Sequence, residues 1–221
     1  MSLSGPRYDP KGKAAHLVVL CHGYGADGKD LIGLAPVLAR LLPDAAFVAP
    51  NAPERCPGAG YQWFPISQLD PKLMHQGVVG AMPGLEDFVK TELARLALTT
   101  DRLALIGFSQ GTMMALQLGL HHLKPAAIVG FSGVLTGAPP QGGTPPVFLA
   151  HGGADPLIPP EALFMTAGVL GAAGVRVQWH LATGLGHGID DEGLALAGGF
   201  LSLAFAGRLA AAGEASCRLT S

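Results

Sequence analysis

Ser109 stands between two glycines in Gly107-Phe108-Ser109-Gln110-Gly111, a G-x-S-x-G pattern. An apolar run, Leu103–Phe108, leads into it, and an apolar helical pattern over 110–120 leads out. A serine on so tight a strand-to-helix turn must take up a strained backbone. The flanking glycines remove side chains that would collide there. The turn lifts the hydroxyl clear of the sheet end, where a base can reach it. The chain has 32 glycines, so five letters match easily by chance, and the strand and helix around them carry the weight. A hydroxyl is a poor nucleophile at neutral pH. It needs a base to take its proton and an acid to orient that base. On a parallel sheet such groups lie beyond the carboxyl ends of the strands, in the chain order serine, acid, histidine. Asp155 is the carboxylate in the loop after the apolar run 147–150, and His187 lies among glycines after the run 175–181. Ser109, Asp155 and His187 are therefore the expected nucleophile, acid and base. Protonated His187 could not accept the proton, so activity is expected to fall at acidic pH.

The oxyanion of a tetrahedral intermediate needs donors aimed in advance. One is expected to be the backbone N–H of Gln110, directly after the nucleophile. The second is expected from the turn His22-Gly23-Tyr24-Gly25-Ala26-Asp27-Gly28, with Tyr24 N–H as donor and His22 as a brace. Rival residues are weaker. Asp190 and Asp191 follow His187 so closely that they suit the start of a helix, where carboxylates favour the N-terminus. Ser132 lacks the second glycine, which Val134 replaces.

Gly23, Gly25 and Gly28 also spell G-x-G-x-x-G between a strand and a helix, the dinucleotide fingerprint. The confirming acid should end the second strand. There the chain reads Ala49-Pro50-Asn51, while Asp44 precedes the strand. Lys29 is followed by Asp30, so a P-loop fails as well. A nucleotide-binding protein remains the alternative of a different class, beside a non-catalytic binding module that has kept the sheet. His121 and His122 are adjacent and point to different helix faces, and no H-E-x-x-H occurs. His16 and His180 fall in apolar strands as packed residues. No metal and no cofactor is expected.

The elements that must position these residues alternate along the chain. Strands are expected at His16–Cys21, 45–49, Leu103–Phe108, 126–131, 147–150 and 175–181. Helices are expected at 27–42, 84–98, 110–120, 160–170 and 192–212, with Glu86, Asp87, Lys90, Glu92 and Arg95 on the wet side of the second. Residues 51–76, rich in Pro, Gly, Gln and aromatics, read as a long loop. Repeated strand-helix units imply an α/β architecture: one mostly parallel twisted sheet with helices on both faces. Residues 1–221 read as a single domain, frayed over 1–14 and 214–221.

With 221 residues the chain can bury a sizeable core. Charged residues are 14%, against a typical ~25%. The net charge of -2 gives no field for nucleic acid or an acidic membrane. Cys21, Cys56 and Cys217 have neither disulfide nor zinc spacing, which fits a reducing compartment. The first residues lack the apolar core of a signal peptide. The uncharged spans 103–123 and 193–207 read as core elements. The expectation is a cytoplasmic protein, monomer or homodimer, without stable membrane insertion.

The motifs LCHGYGADG at 20–28, APNAPE at 49–54, GYQWFPI at 60–66, IGFSQG at 106–111, FSG at 131–133, HGGADPLIP at 151–159 and GLGHGI at 184–189 occur in that order. Together the chain resembles the carboxylesterase and acyl-protein thioesterase/lysophospholipase family of small α/β-hydrolases, from about Val18 to about Phe200. The resemblance implies an α/β-hydrolase fold without a large cap domain. It implies hydrolysis of small carboxylic esters or thioesters of short to medium acyl length, with no cofactor. It maps nucleophile, acid and base onto Ser109, Asp155 and His187, and the oxyanion donors onto Tyr24 and Gln110. It assigns Trp63 and Phe64, together with Leu157, to the substrate-binding wall, against the alternative that the two aromatics only pack the loop down. Three positions depart from the pattern. Thr112 stands where relatives carry a second glycine, and its added bulk is expected to narrow the site. Tyr24 replaces an apolar residue. Pro65 replaces an acid. These departures favour generic ester hydrolysis over acyl thioesterase or lysophospholipase activity on the same scaffold.

Overall fold

The strands alternate their side chains between two cores, which is why their sequences read as continuous apolar runs. A computed structural model describes residues 3–66 and 70–209. In chain order the elements are β1 (Arg7–Tyr8), β2 (His16–Cys21), α1 (Gly28–Ile32), α2 (Ala35–Leu38), β3 (Ala45–Val48), β4 (Glu54–Arg55), β5 (Tyr61–Gln62), α3 (Pro71–Leu96), β6 (Leu103–Phe108), α4 (Gln110–Leu118), β7 (Ala127–Phe131), β8 (Val147–Gly152), α5 (Glu161–Ala172), β9 (Val177–Ala182) and α6 (Asp191–Phe205). The main sheet has seven strands in the order β1-β3-β2-β6-β7-β8-β9. All its pairs are parallel except β1 with β3.

Leu17, Val19, Leu103 and Leu105 face the core closed by α3, α4 and α5. Val18, Leu20, Ala104 and Ile106 face the core closed by α1, α2 and α6. A period of two on a sheet buried on both faces produces this division. The expected architecture of one mostly parallel sheet with helices on both faces is the observed one. No cap domain lies over it among the described residues. The span 103–123 is β6, α4 and a π-helical turn over Gly119–Leu123, and 193–207 falls largely in α6. Among the described residues, no helix is long and apolar enough to cross a membrane.

Several elements differ from the expectation. The helix expected over 27–42 is split into α1 and α2, with Pro36 near the start of the second. The loop expected over 51–76 holds the β4–β5 hairpin, and α3 begins at Pro71. Asp70 caps α3 by accepting from Leu73 N at 2.9 Å, and Pro71 occupies the first turn, where its missing N–H costs nothing. Glu92, expected on the wet side, is 2% exposed and paired with Arg7 and Arg95. Arg7 brings β1 with it. Ala49 N and Asn51 N also donate to Pro6 O and Ser4 O, at 3.1 and 2.9 Å. Residues 4–8, expected to be frayed, are therefore tied to β3, the residues after it and α3. The expected fraying over 214–221 lies outside the described residues, as does Cys217.

Candidate active site

Ser109 sits at φ 52°, ψ -115°, between the end of β6 and the start of α4. That left-handed conformation is costly for a residue with a Cβ and persists only where the surroundings enforce it. Ser109 N donates to Phe131 O at 2.8 Å, tying the turn to β7. A Cβ at Gly111 would overlap the carbonyl oxygens of Cys21 and His22, and one at Gly107 would overlap the Gly111 backbone. Both glycines of the motif are thus required by close approach, and the first turn of α4 lies directly on the end of β2.

Asp155 follows β8 and His187 follows β9, two strands that are neighbours in the sheet. His187 Nδ1 donates to Asp155 Oδ2 at 2.7 Å. This leaves Nε2 as the nitrogen able to accept a proton. The other oxygen, Asp155 Oδ1, accepts from Leu157 N at 2.9 Å and Ile158 N at 3.0 Å. Burial pushes the Asp155 carboxyl up. The Ile158 N–H, His187 and the Leu157 N–H outweigh burial and hold it below the usual carboxylate range. The His187 ring lies 4.9 Å from the ring of Phe108, the residue directly before Ser109. The hydrogen bond of His187 runs to Asp155 and not to the Ser109 hydroxyl; such contacts commonly tighten only with substrate present. The His187 loop reaches back across β8 and β7, and Ser132 Oγ donates to Gly188 O at 3.3 Å.

The rival residues find other partners. Asp190 precedes α6 and lies 3.3 Å from His180 Nε2. The Asp27 carboxylate caps α1, accepting from Lys29 N at 2.7 Å and Asp30 N at 3.1 Å. A carboxylate of the chain itself thus occupies the first free amides of α1.

The expected oxyanion loop is braced by His22, whose ring is fully buried. His22 Nε2 accepts from Ala52 N at 3.0 Å, so Nδ1 carries the proton and donates to Gly23 O at 2.7 Å. Burial lowers the His22 pKa, which favours this neutral form. No backbone carbonyl among the described residues accepts the Tyr24 N–H. The Tyr24 side chain is 44% exposed.

Trp63 and Phe64 are 1% and 3% exposed, packed with Val78 and Met82 of α3, while Leu157 is 62% exposed beside the Asp155 loop. Thr112 is fully buried and donates to Phe131 O at 2.8 Å. Its methyl lies where a Cβ on Gly130 would be. Thr112 therefore packs against β7 and does not narrow the site, contrary to expectation. Sequence reasoning missed His151. Its buried Nε2 donates to Ile158 O at 2.9 Å and lies 3.4 Å from Asp155 Oδ2. The available signal was its place on the last turn of strand before Asp155, four residues away. Two surface cavities of about 270 and 230 Å³ lie at the amino ends of the strands, away from this cluster.

A family model described as Phospholipase/Carboxylesterase matches residues 8–205. The chain is 28% identical to esterase YpfH of Escherichia coli (strain K12) over 191 residues, covering 85% of this chain and 82% of that one. It is 26% identical to acyl-protein thioesterase 1 of Neurospora crassa over 198 residues, covering 77% of this chain and 79% of that one. The crystal structure of esterase PE8 is similar with a TM-score of 0.83 at 37% identity, covering 91% of this chain and 98% of its own.

Proposed function

The chain belongs to the phospholipase/carboxylesterase family, a family of hydrolases acting on ester bonds, and from that premise we propose that it is a serine carboxylesterase for short- to medium-chain esters. The observation that carries this reading is the His187–Asp155 hydrogen bond of 2.7 Å, formed by loops beyond adjacent strands. The strained Ser109 turn beside the same loops supports it.

Ser109 Oγ attacks the ester carbonyl while His187 Nε2 takes its proton. Asp155 holds the imidazole in the required tautomer and stabilises its charged form. The N–H groups of Gln110 and Tyr24 bind the oxyanion. The alcohol leaves with the proton from His187, and a water molecule repeats the sequence on the acyl-enzyme. Leu157, exposed beside the acid loop, forms an apolar rim for the acyl or alcohol group.

The test is a series of p-nitrophenyl esters from acetate to palmitate, run beside a palmitoyl thioester and a lysophospholipid, on wild type and Ser109→Ala. Turnover that peaks at short or medium esters and vanishes in Ser109→Ala supports the reading. A fluorophosphonate that fails to label Ser109 overturns it. A preference for the thioester or the lysolipid would move the protein to those activities on the same residues.

A further inference from the structure

Gln110 contributes more than a backbone N–H. Its side chain is fully buried and grips the backbone of two residues far away in sequence. Gln110 Oε1 accepts from Trp63 N at 2.9 Å, and Gln110 Nε2 donates to Phe64 O at 2.8 Å. The Trp63 indole then reaches the other side of the site, where Nε1 donates to His22 O at 2.9 Å. The His22 ring lies 5.6 Å from the Trp63 ring. Its Nδ1–H holds Gly23 O, the carbonyl of the peptide whose N–H belongs to Tyr24. A trans peptide points its N–H opposite to its C=O. Fixing that carbonyl therefore fixes the direction in which the Tyr24 N–H is aimed.

We propose that Gln110, Trp63 and His22 form one buried strut that sets the position of the Tyr24 N–H relative to the Gln110 N–H, making Trp63 a positioning residue for the oxyanion donors. The proposal rests on the serine hydrolase reading of the same site.

Each end of the strut belongs to one of the two donors. At one end, the side chain of Gln110 leaves the same residue whose N–H starts α4. At the other, the His22–Gly23 and Gly23–Tyr24 peptides are both held, the first by the indole and the second by the imidazole. Ala52 N, donating to His22 Nε2, fixes the tautomer that makes the second bond. The elements are also in direct contact. A Cβ on Gly23 would come within 3.3 Å of Ser109 Cβ. At 1% exposure, the Trp63 ring offers almost no surface to a substrate. Donor placement matters because an oxyanion bond forms fully only in the transition state. A misplaced donor lowers kcat for every acyl chain alike, whereas loss of a substrate wall raises KM, most for the chains that touch it.

The experiment compares wild type with Trp63→Phe, which keeps a ring and loses the indole N–H, and with Gln110→Met, which keeps the backbone donor and loses both amide bonds. Acetate, butyrate and octanoate p-nitrophenyl esters are assayed, and a trifluoromethyl ketone serves as a mimic of the tetrahedral adduct. The expected result is a fall in kcat of about tenfold or more at every chain length. KM stays within about twofold, and the ketone Ki rises in step with the loss of kcat/KM. Wild-type kcat in either folded variant overturns the proposal, as does a loss carried by KM and growing with chain length. If neither variant folds, wild type decides. The Trp63 indole N–H must resist hydrogen exchange and shift in the NMR spectrum when the ketone binds. Trp179, at 47% exposure, is the internal reference. A Trp63 indole that exchanges as fast overturns the proposal. Turnover that persists in Ser109→Ala refutes Ser109 as the nucleophile, and with it the serine hydrolase reading, and is a separate outcome.

Discussion

Asp155 Oδ2 and His187 Nδ1 lie 2.7 Å apart although 32 positions separate them in the chain. Adjacent parallel strands deliver them side by side, and the hydrogen bond leaves Nε2 as the nitrogen of His187 able to accept a proton. Replacing Asp155 with Asn puts an amide where a carboxylate accepted. His187 is then free to take the other tautomer. We expect kcat on p-nitrophenyl butyrate to fall by about 10⁴ with KM little changed. A fall of less than tenfold would remove Asp155 from the orienting role.

The same carboxylate shapes acid stability. In the folded protein Asp155 titrates below the usual range, because three hydrogen bonds outweigh its burial. Burial also pushes Glu92 up, and Arg7 and Arg95 more than offset it. The unfolded chain holds these protons more tightly, with ordinary values of about 3.9 for Asp and 4.3 for Glu. Their stabilisation is thus full above about pH 5 and is lost as the pH falls through the folded values. Urea midpoints measured from pH 6 to pH 3 should decline, and the decline should be shallower in Asp155→Asn. A decline equally steep in that variant would place the acid sensitivity elsewhere.

Arg7 reaches Glu92 from the two-residue strand β1. Without it, a carboxylate whose side chain is 3% exposed keeps only Arg95. Arg7 itself is partly exposed, so solvent screens the pair. We expect Arg7→Ala to lower stability by about 1–2 kcal/mol. The measurement is the shift in denaturant midpoint, together with faster amide exchange at Ala49 and Asn51. Unchanged exchange at those two amides would mean that β1 is held without the pair.

Burial pushes the Cys21 thiol up to about 12. Thiolate is the reactive form. Iodoacetamide at pH 8 should leave Cys21 unmodified in the folded protein and modify it in denaturant, read by peptide mass spectrometry. Rapid labelling of Cys21 under native conditions would mean that β2 opens, and with it the floor of the site.

Phe131 O accepts from both Ser109 N and Thr112 Oγ1, each at 2.8 Å. Thr112→Val keeps the shape and deletes one of the two donors. The expected cost is about 1 kcal/mol in thermal unfolding, with activity nearly unchanged, because the side chain packs against β7. An altered acyl-chain preference in this variant would return Thr112 to the substrate site.

Strand placement was legible because each run is apolar throughout and bounded by breakers. β2 and β6 have the limits expected from sequence, and β8 extends through His151 and Gly152. The stretch of α3 before residue 84 was not legible. Gly77, Gly80 and Pro83 argue against a helix by propensity. In the folded chain Gly77 makes room for the Phe64 ring, and tertiary packing overrides the local cost. Glu92 was misplaced for a related reason. A charge pattern on a helix says nothing of an arginine 85 positions away that makes burial affordable.

The order of strands and helices, the glycine-flanked serine, and the positions of Asp155 and His187 just beyond strand ends could be read from the chain alone. Those are properties of neighbouring residues, and periodicity and turn chemistry express them locally. Three-dimensional packing settled which groups meet. It sent Asp190 to His180, turned Thr112 toward β7, buried Trp63 and joined it to both Gln110 and His22. Such contacts depend on sheet order and on the path of loops across strand ends, and no local spacing encodes either.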